Sequence, residues 1–74
     1  MNLVEGLTTE ILRVTEILRI YKELPGNAGA FAAMFMEKSL EKAREAQAHG
    51  DVIQMIASFK ELQTYELWKG VIDF

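Results

Sequence analysis

Residues 28–49, AGAFAAMFMEKSLEKAREAQAH, form the longest run of strong helix-forming residues in the chain. Asn27, just before this run, is a residue type preferred at helix N-caps. Gly50, just after it, suits the left-handed backbone that often ends a helix. The run contains no proline, and no glycine follows Gly29. We therefore predict one helix of about six turns over these residues.

One face of this predicted helix carries mostly small side chains when successive residues are placed about 100° apart. Its members are Ala28, Ala32, Phe35, Met36, Ser39, Leu40, Ala43 and Ala46. Phe31 and Met34 point away from this face, so the first turns are apolar on nearly every side. Such a segment should be covered on every side, and one neighbouring helix cannot do this. We expect a third helix or a second copy of the protein to contribute.

The beginning of the chain predicts another helix with a continuous apolar seam. Asn2 and Glu5 have the spacing of a capping box at its start. The seam residues alternate at spacings of three and four: Val4, Leu7, Ile11, Val14, Leu18 and Tyr21. A second apolar row beside the seam consists of Ile17, Ile20 and Leu24. Because this face is wider than a two-stranded coiled coil requires, we expect the helix to contact more than one partner.

Two short turns separate three predicted helices. Pro25 and Gly26 end the first helix, because proline disfavours helical backbone in the residue before it and glycine permits a sharp reversal. So short a connection makes the first two helices antiparallel neighbours. Asp51 is typical of the start of a further helix, which we predict over residues 52–69 with Gly70 at its end.

The third predicted helix has one clear apolar face and a less regular end. The predicted buried face consists of Val52, Met55, Ile56, Phe59, Leu62 and Tyr65. Leu67 and Trp68 fall on another side and suggest a second contact near the C-terminus. We expect Glu66 to reach solvent, with a buried functional carboxylate as the alternative. Residues 71–74 are too short to fold alone and should lie across the first helix or a neighbouring subunit, or fray.

Length and composition favour a small domain that assembles. The chain has 74 residues, half of them hydrophobic and none of them cysteine, so neither a disulfide nor a thiolate zinc site can stabilise it. A domain this short buries only about 60% of its unfolded surface, and oligomerisation is a common remedy. We predict a single all-α domain over residues 1–74. A long antiparallel hairpin and a shorter third helix would assemble into a dimeric bundle.

The predicted homodimer interface combines the second apolar row of the first helix, the start of the second helix and the end of the third. Its members are Ile17, Ile20, Leu24, Phe31, Met34, Phe35, Leu67 and Trp68. An adaptable groove for a partner helix is the alternative, and its lining would be Met34, Met36, Met55, Phe31, Phe35 and Phe59. Core or self-dimer packing is the commoner role of such a pattern.

Charge and candidate chemical groups exclude several classes of protein. A net charge of −3 and the absence of a clustered basic patch argue against nucleic-acid binding. The longest apolar run is far shorter than the ~20 residues of a membrane span, and the N-terminus lacks signal-peptide features, so we expect a cytoplasmic protein. Glu45 and His49 could share a metal ion, but two ligands do not make a metal site. We expect His49 instead to be a cation near the C-terminus of the second helix, where a positive charge is favourable. We predict no catalytic residue, cofactor or metal.

These observations predict a non-enzymatic protein that acts by protein–protein association, as a homo-oligomeric accessory, adaptor or regulatory protein. The alternative is a nucleic-acid-associated regulator, in which dimerisation would bring together Arg13, Arg19 and Lys22 from two subunits. The two hypotheses differ in the partner of the dimer, which is a protein in the first and a nucleic acid in the second.

Two motifs also carry a resemblance. The first is G-x-F-x-x-x-F-x-x-x-x-L-x-x-A, starting at Gly29, and the second is G-D-V-x-x-M-I-x-x-F-x-x-L, from Gly50 to Leu62. Over residues 10–66 the chain resembles short bacterial and prophage-borne helical proteins of unknown function. The resemblance implies a bacterial or phage cytoplasmic accessory protein and brings with it no activity and no site residues.

Overall fold

The computed structural model describes residues 2–66, which form three α-helices joined by two short connections. Helix α1 spans Leu3–Lys22, α2 spans Ala30–His49 and α3 spans Val52–Gln63. Each helix packs against the other two. The prediction of an all-α, three-helix architecture is therefore confirmed.

Side-chain contacts between α1 and α2 show that these two helices are antiparallel. Gln47, near the end of α2, donates to Thr8 near the start of α1. Glu37, in the first half of α2, pairs with Lys22 at the end of α1. Because residue numbers fall along one helix as they rise along the other, the two form the predicted hairpin.

Helix α3 lies along one end of this hairpin. It is antiparallel to α2, since Lys42 pairs with Glu61 at 3.4 Å and Ser39 bonds Tyr65 at 2.8 Å. It contains 12 residues, whereas α1 and α2 contain 20 each. At 1.5 Å per residue, α3 covers ~18 Å of a hairpin that is ~30 Å long.

Local caps start α1 and α3 as the sequence predicts. The Oδ1 atom of Asn2 accepts a hydrogen bond from the backbone N–H of Glu5 at 2.8 Å. Asp51 does the same for the backbone N–H of Gln54 at 3.1 Å. Gly50, with φ of 66°, ends α2 in the left-handed conformation. Each contact lies within four residues of sequence, so local patterns were sufficient to predict it.

The start of α2 differs from its prediction. Asn27 was predicted to cap this helix, but the helix begins at Ala30 with Gly29 as its N-cap. Gly29 is buried against the end of α1, where a Cβ atom would lie 2.5 Å from the backbone oxygen of Tyr21. The close approach of two backbones, and not a capping side chain, therefore fixes the point at which α2 begins.

Substitution of Gly29 by alanine should lower the free energy of unfolding by about 2 kcal/mol, because the added methyl group overpacks a backbone contact. Gly26→Ala is the matched control. Gly26 has φ of 65° but no atom within 4 Å of its would-be Cβ, so the loss there should be about 1 kcal/mol. Urea unfolding monitored by circular dichroism measures both, and equal losses would contradict the steric explanation.

The hydrophobic core lies where the three helices meet. It consists of Leu7, Ile11, Val14, Ile17, Leu18, Tyr21, Ala33, Met36, Leu40, Ala43, Ala46, Met55 and Leu62. All the predicted seam residues of α1 are buried except Val4, which is half exposed. The predicted inner face of α2 is confirmed from Met36 to Ala46, but Phe35 and Ala28, which precedes the helix, are exposed, and Ala33 is buried instead.

The second apolar row of α1 packs within the single chain. Ile17 is only 5% exposed and belongs to the core, so it has little surface left for the predicted interface between copies. Ile20 and Leu24 are half-buried. The cause is the orientation of α1, which faces both α2 and α3 and uses its wide apolar face for them.

Helix α3 departs from its prediction in length and in orientation. It ends at Gln63 instead of continuing to residue 69, and the predicted stop at Gly70 lies outside the described residues. Val52 and Ile56, predicted to be buried, are exposed. The buried positions are Met55, Ser58 and Leu62. A small polar residue thus occupies the inner face, and apolar side chains turn outward.

Two buried serines differ in whether their hydroxyl groups are hydrogen-bonded. Ser39, on α2, bonds the hydroxyl of Tyr65 at 2.8 Å. Ser58, on α3, is 1% exposed, and its hydroxyl finds no hydrogen-bond partner among residues 2–66. An unbonded buried hydroxyl is destabilising because it has lost its contacts with water without replacement. No polar contact among residues 2–66 therefore accounts for the inward position of Ser58.

We expect Ser58→Ala to raise the free energy of unfolding by about 0.5–1 kcal/mol, because it removes an unsatisfied hydroxyl and adds helix propensity. Ser39→Ala should lower it by about 1 kcal/mol, because a hydrogen bond is lost. The two variants make the same chemical change at equally buried sites. In thermal and urea unfolding, the change in the free energy of unfolding should have opposite signs for the two variants. A loss of stability in both variants would show that the Ser58 hydroxyl has a hydrogen-bond partner.

Candidate functional site

An exposed apolar cluster lies on the first turns of α2. Phe31, Met34 and Phe35 are 76%, 45% and 57% exposed, respectively. Their spacing of i, i+3 and i+4 places them on one face of the helix. We call these three residues the α2 surface. The outward direction predicted for Phe31 and Met34 is observed, and the single chain does not cover them.

The α2 surface is too small to be a complete interface. Large aromatic side chains offer ~150–250 Å² each, so the three partly exposed residues present on the order of 300 Å². A stable interface buries about 800 Å² on each partner. A contiguous apolar area of this size on a single chain is nevertheless often functional. It has the size of the central cluster of an interface and not of its whole area.

A groove of about 490 Å³ lies beside the α2 surface. Its lining combines the end of α1, the start of α2 and the residues after α3: Tyr21, Ala28, Phe31, Ala32, Met36, Thr64, Tyr65 and Glu66. Glu66 is exposed at its edge, which confirms that this carboxylate reaches solvent. Phe31 belongs both to the groove and to the α2 surface.

Arg13 caps the C-terminal end of α3, next to the groove. Its guanidinium donates to the backbone oxygens of Leu62 and Tyr65, both at 2.8 Å, and to Glu10. In a longer helix the oxygen of Leu62 would accept from the N–H of residue 66. Instead, Tyr65 donates to Leu62 at 3.1 Å, a bond that tightens the last turn. Sequence analysis missed this role because Arg13 and its acceptors are far apart in sequence.

Arg13→Lys should lower the free energy of unfolding by about 1.5 kcal/mol, since an ammonium cannot reproduce the forked hydrogen bonds of a guanidinium to two carbonyls and a carboxylate. Arg19→Lys is the control, because the hydrogen-bond partners of Arg19 among residues 2–66 are the exposed Glu16 and Glu23. It should leave the free energy of unfolding nearly unchanged. Urea unfolding compares the two, and similar losses would mean that Arg13 is not the end-cap of α3.

A second apolar cluster occupies the start of α3. Val52, Ile53 and Ile56 are all exposed, and Ile53 reaches 83%. We call these residues the α3 surface. It lies at the opposite end of α2 from the α2 surface, ~30 Å away along the helix. The sequence indicates this exposure through the adjacent residues Val52 and Ile53, because neighbouring positions on a helix cannot both face the same narrow core.

Acidic and histidine side chains do not form a metal site among residues 2–66. Glu45, His49 and Asp51 line a small surface pocket of about 280 Å³ with Lys42 and two further residues. Glu45, His49 and Asp51 are exposed. The arrangement gives no enclosed cavity in which a nucleophile, base or metal could be shielded from water.

The basic residues of the nucleic-acid alternative already have partners in the chain. Lys22 pairs with Glu37, Arg13 with Glu10, and Arg19 with two glutamates. The hydrogen bond and charge of Arg19 lower the pKa of Glu16, one of those two glutamates. This pair is fully exposed, so it contributes little to stability. These contacts reduce the positive potential that a phosphate backbone would require.

In the described part of the chain, no helix is long and apolar enough to cross a bilayer. Leu67 and Trp68, predicted to join the interface, lie outside the described residues. The comparisons found no match to a protein-family model, a curated protein or a solved structure. The resemblance to short bacterial and prophage-borne proteins therefore stays a prediction, and the candidate site of this chain is defined by its own geometry: the α2 surface and the adjoining groove.

Proposed function

We propose that this protein has no catalytic role and acts by protein–protein association, with a second copy of itself as the first partner and the α2 surface as the centre of contact. The observation that carries the proposal is the exposure of Phe31, Met34 and Phe35 on one helical face. Removing such side chains from water is the main driving force of association.

A symmetric arrangement suits this surface. In a two-fold dimer the same patch of each copy meets its counterpart, so an apolar cluster packs on an apolar cluster. Aromatic and methionine side chains are enriched at such interfaces, and a few central residues carry most of the binding energy. The remaining contact area would come from the surrounding residues, including the exposed parts of Ile20 and Leu24.

Leu67 and Trp68 remain in the proposed interface on sequence grounds. The sequence resemblance supports the role of a bacterial or phage cytoplasmic accessory protein. A homodimer built on the α2 surface would present two copies of every other surface to further protein partners. This is the usual way in which a small non-enzymatic protein gains a second binding site.

Sedimentation velocity over micromolar concentrations should detect a dimer of the unmodified chain. The double variant Met34→Ser/Phe35→Ser should weaken dimerisation by at least about 100-fold, equivalent to about 2.7 kcal/mol, because it removes two central apolar contacts. Its helical circular dichroism should be unchanged, since both side chains already face water.

Ile53→Ser is the matched control. It removes an exposed apolar side chain from the α3 surface and should leave the dimer intact. A monomeric unmodified chain throughout this range would contradict the proposal. So would dissociation caused by Ile53→Ser with the α2 double variant still dimeric, because the interface would then lie at the other end of the molecule.

A further inference from the structure

The outward face of α2 changes from apolar to charged along the helix. The α2 surface occupies its first turns. The next outward positions follow at intervals of three and four residues on the same side of the helix, and all are exposed: Lys38, Glu41, Lys42 and Glu45. This face therefore has an apolar end and a charged end, and the difference distinguishes the two ways in which two α2 helices can pair.

The charges that bear on the pairing are those of Lys38, Glu41 and Glu45. Among residues 2–66, none of these three forms an ion pair, whereas Lys42 pairs with Glu61 of its own chain. Charged residues that flank the apolar contact between two helices set the orientation of the pair. The three charges are therefore available to act on a second copy.

A parallel pair of α2 helices would bring like charges together. With the two-fold axis along the helices, each residue lies opposite the same residue of the other copy. Lys38 would face Lys38, and the two glutamates would face their own counterparts. Juxtaposed like charges oppose association. The apolar contact of a parallel pair would thus be offset along the remainder of the helix.

An antiparallel pair avoids this repulsion. With the two-fold axis across the helices near Met34 and Phe35, the two apolar clusters still meet. Lys38 then lies opposite Phe31 of the other copy, where a cation over an aromatic ring is favourable. Positions 41–45 lie opposite residues 24–28 of the other copy, and that segment, LPGNA, carries no charge. Each charged end of α2 thus meets an uncharged turn.

We propose that the α2 helices of the dimer pair antiparallel, with Met34 and Phe35 at the two-fold axis. This inference rests on the proposed α2 dimer and specifies its geometry. Each copy contacts the other along residues 30–45 of α2, ~23 Å of helix, and through residues 24–28. The longer contact supplies interface area that the three residues of the α2 surface lack.

The antiparallel geometry also separates the two α3 surfaces of the dimer. Helix α3 begins at Val52, directly after α2 ends at His49, so the α3 surface lies ~22 Å along α2 from the two-fold axis. In the antiparallel pair the two α3 surfaces lie at opposite ends, ~44 Å apart along the helices. Each can then contact a partner without hindrance from the other.

The distance between spin labels tests the orientation. The chain contains no cysteine, so one introduced cysteine places one label per copy. Ala48→Cys uses an exposed position near the end of α2 and removes no charge. Double electron–electron resonance on the labelled full-length dimer should give ~40 Å for the antiparallel pair. A parallel pair, with helix axes ~8–10 Å apart, would give less than ~20 Å.

A second label position and a matched control sharpen the test. Glu45→Cys lies three residues nearer the axis in both copies, so the distance should fall by ~9 Å relative to Ala48→Cys. In a parallel pair the two positions would give nearly equal distances. Adding Met34→Ser/Phe35→Ser to Ala48→Cys should abolish the dipolar signal, because the dimer then dissociates.

Sedimentation velocity on the same labelled samples separates the two proposals. A dimer with a distance below ~30 Å between labels at position 48 would overturn the antiparallel geometry alone. Distances that do not fall from position 48 to position 45 would do the same. A monomer at all micromolar concentrations would overturn the α2 dimer and its geometry together, as would a dipolar signal that survives Met34→Ser/Phe35→Ser.

Discussion

The hydrogen bonds from Arg13 to the carbonyl oxygens of Leu62 and Tyr65 are the constraint on which the candidate site depends. A charged donor offered to a carbonyl at a helix end replaces the next intrahelical bond and stabilises the termination. Because α3 ends at Gln63, no helix within residues 2–66 lies across the far part of the α1–α2 hairpin. The groove lined by Tyr21, Ala32 and Met36 lies in this part. A single arginine therefore links the length of one helix to the accessibility of a surface on another.

The parts of the fold that were predictable from sequence are those with local causes. Asn2 and Asp51 cap helices within three residues, and Gly50 ends α2 through its own backbone angle. The seam of α1 was predictable because its spacing alone gives the buried face. The start of α2 was not, since Gly29 acts through contact with Tyr21 on another helix. Asn27 satisfied the local rule for a cap, and tertiary packing moved the helix start past it.

The orientation of α3 shows a second limit of structure prediction from sequence. Its inner face carries Ser58, and its outer face carries Ile53 and Ile56. Hydrophobic periodicity assumes that the most apolar stripe faces the core, and here a small polar residue occupies the inner face instead. The hydrogen bonds of Arg13 span 49 and 52 residues of sequence, so no local pattern contains them. The exposed α2 surface was predictable, because a helix apolar all round exceeds what its neighbours can cover.

The positions of the two exposed apolar surfaces bear on how copies can assemble. If the α2 surface of one copy met the α3 surface of another, the contact would be head-to-tail, and the assembly would be either a closed ring or an open filament. Pairing of α2 surfaces with each other closes after two copies. A closed dimer therefore needs a cluster that pairs with its own counterpart, as proposed for the α2 surface, although Ile53 on the α3 surface is the most exposed of the large hydrophobic side chains described.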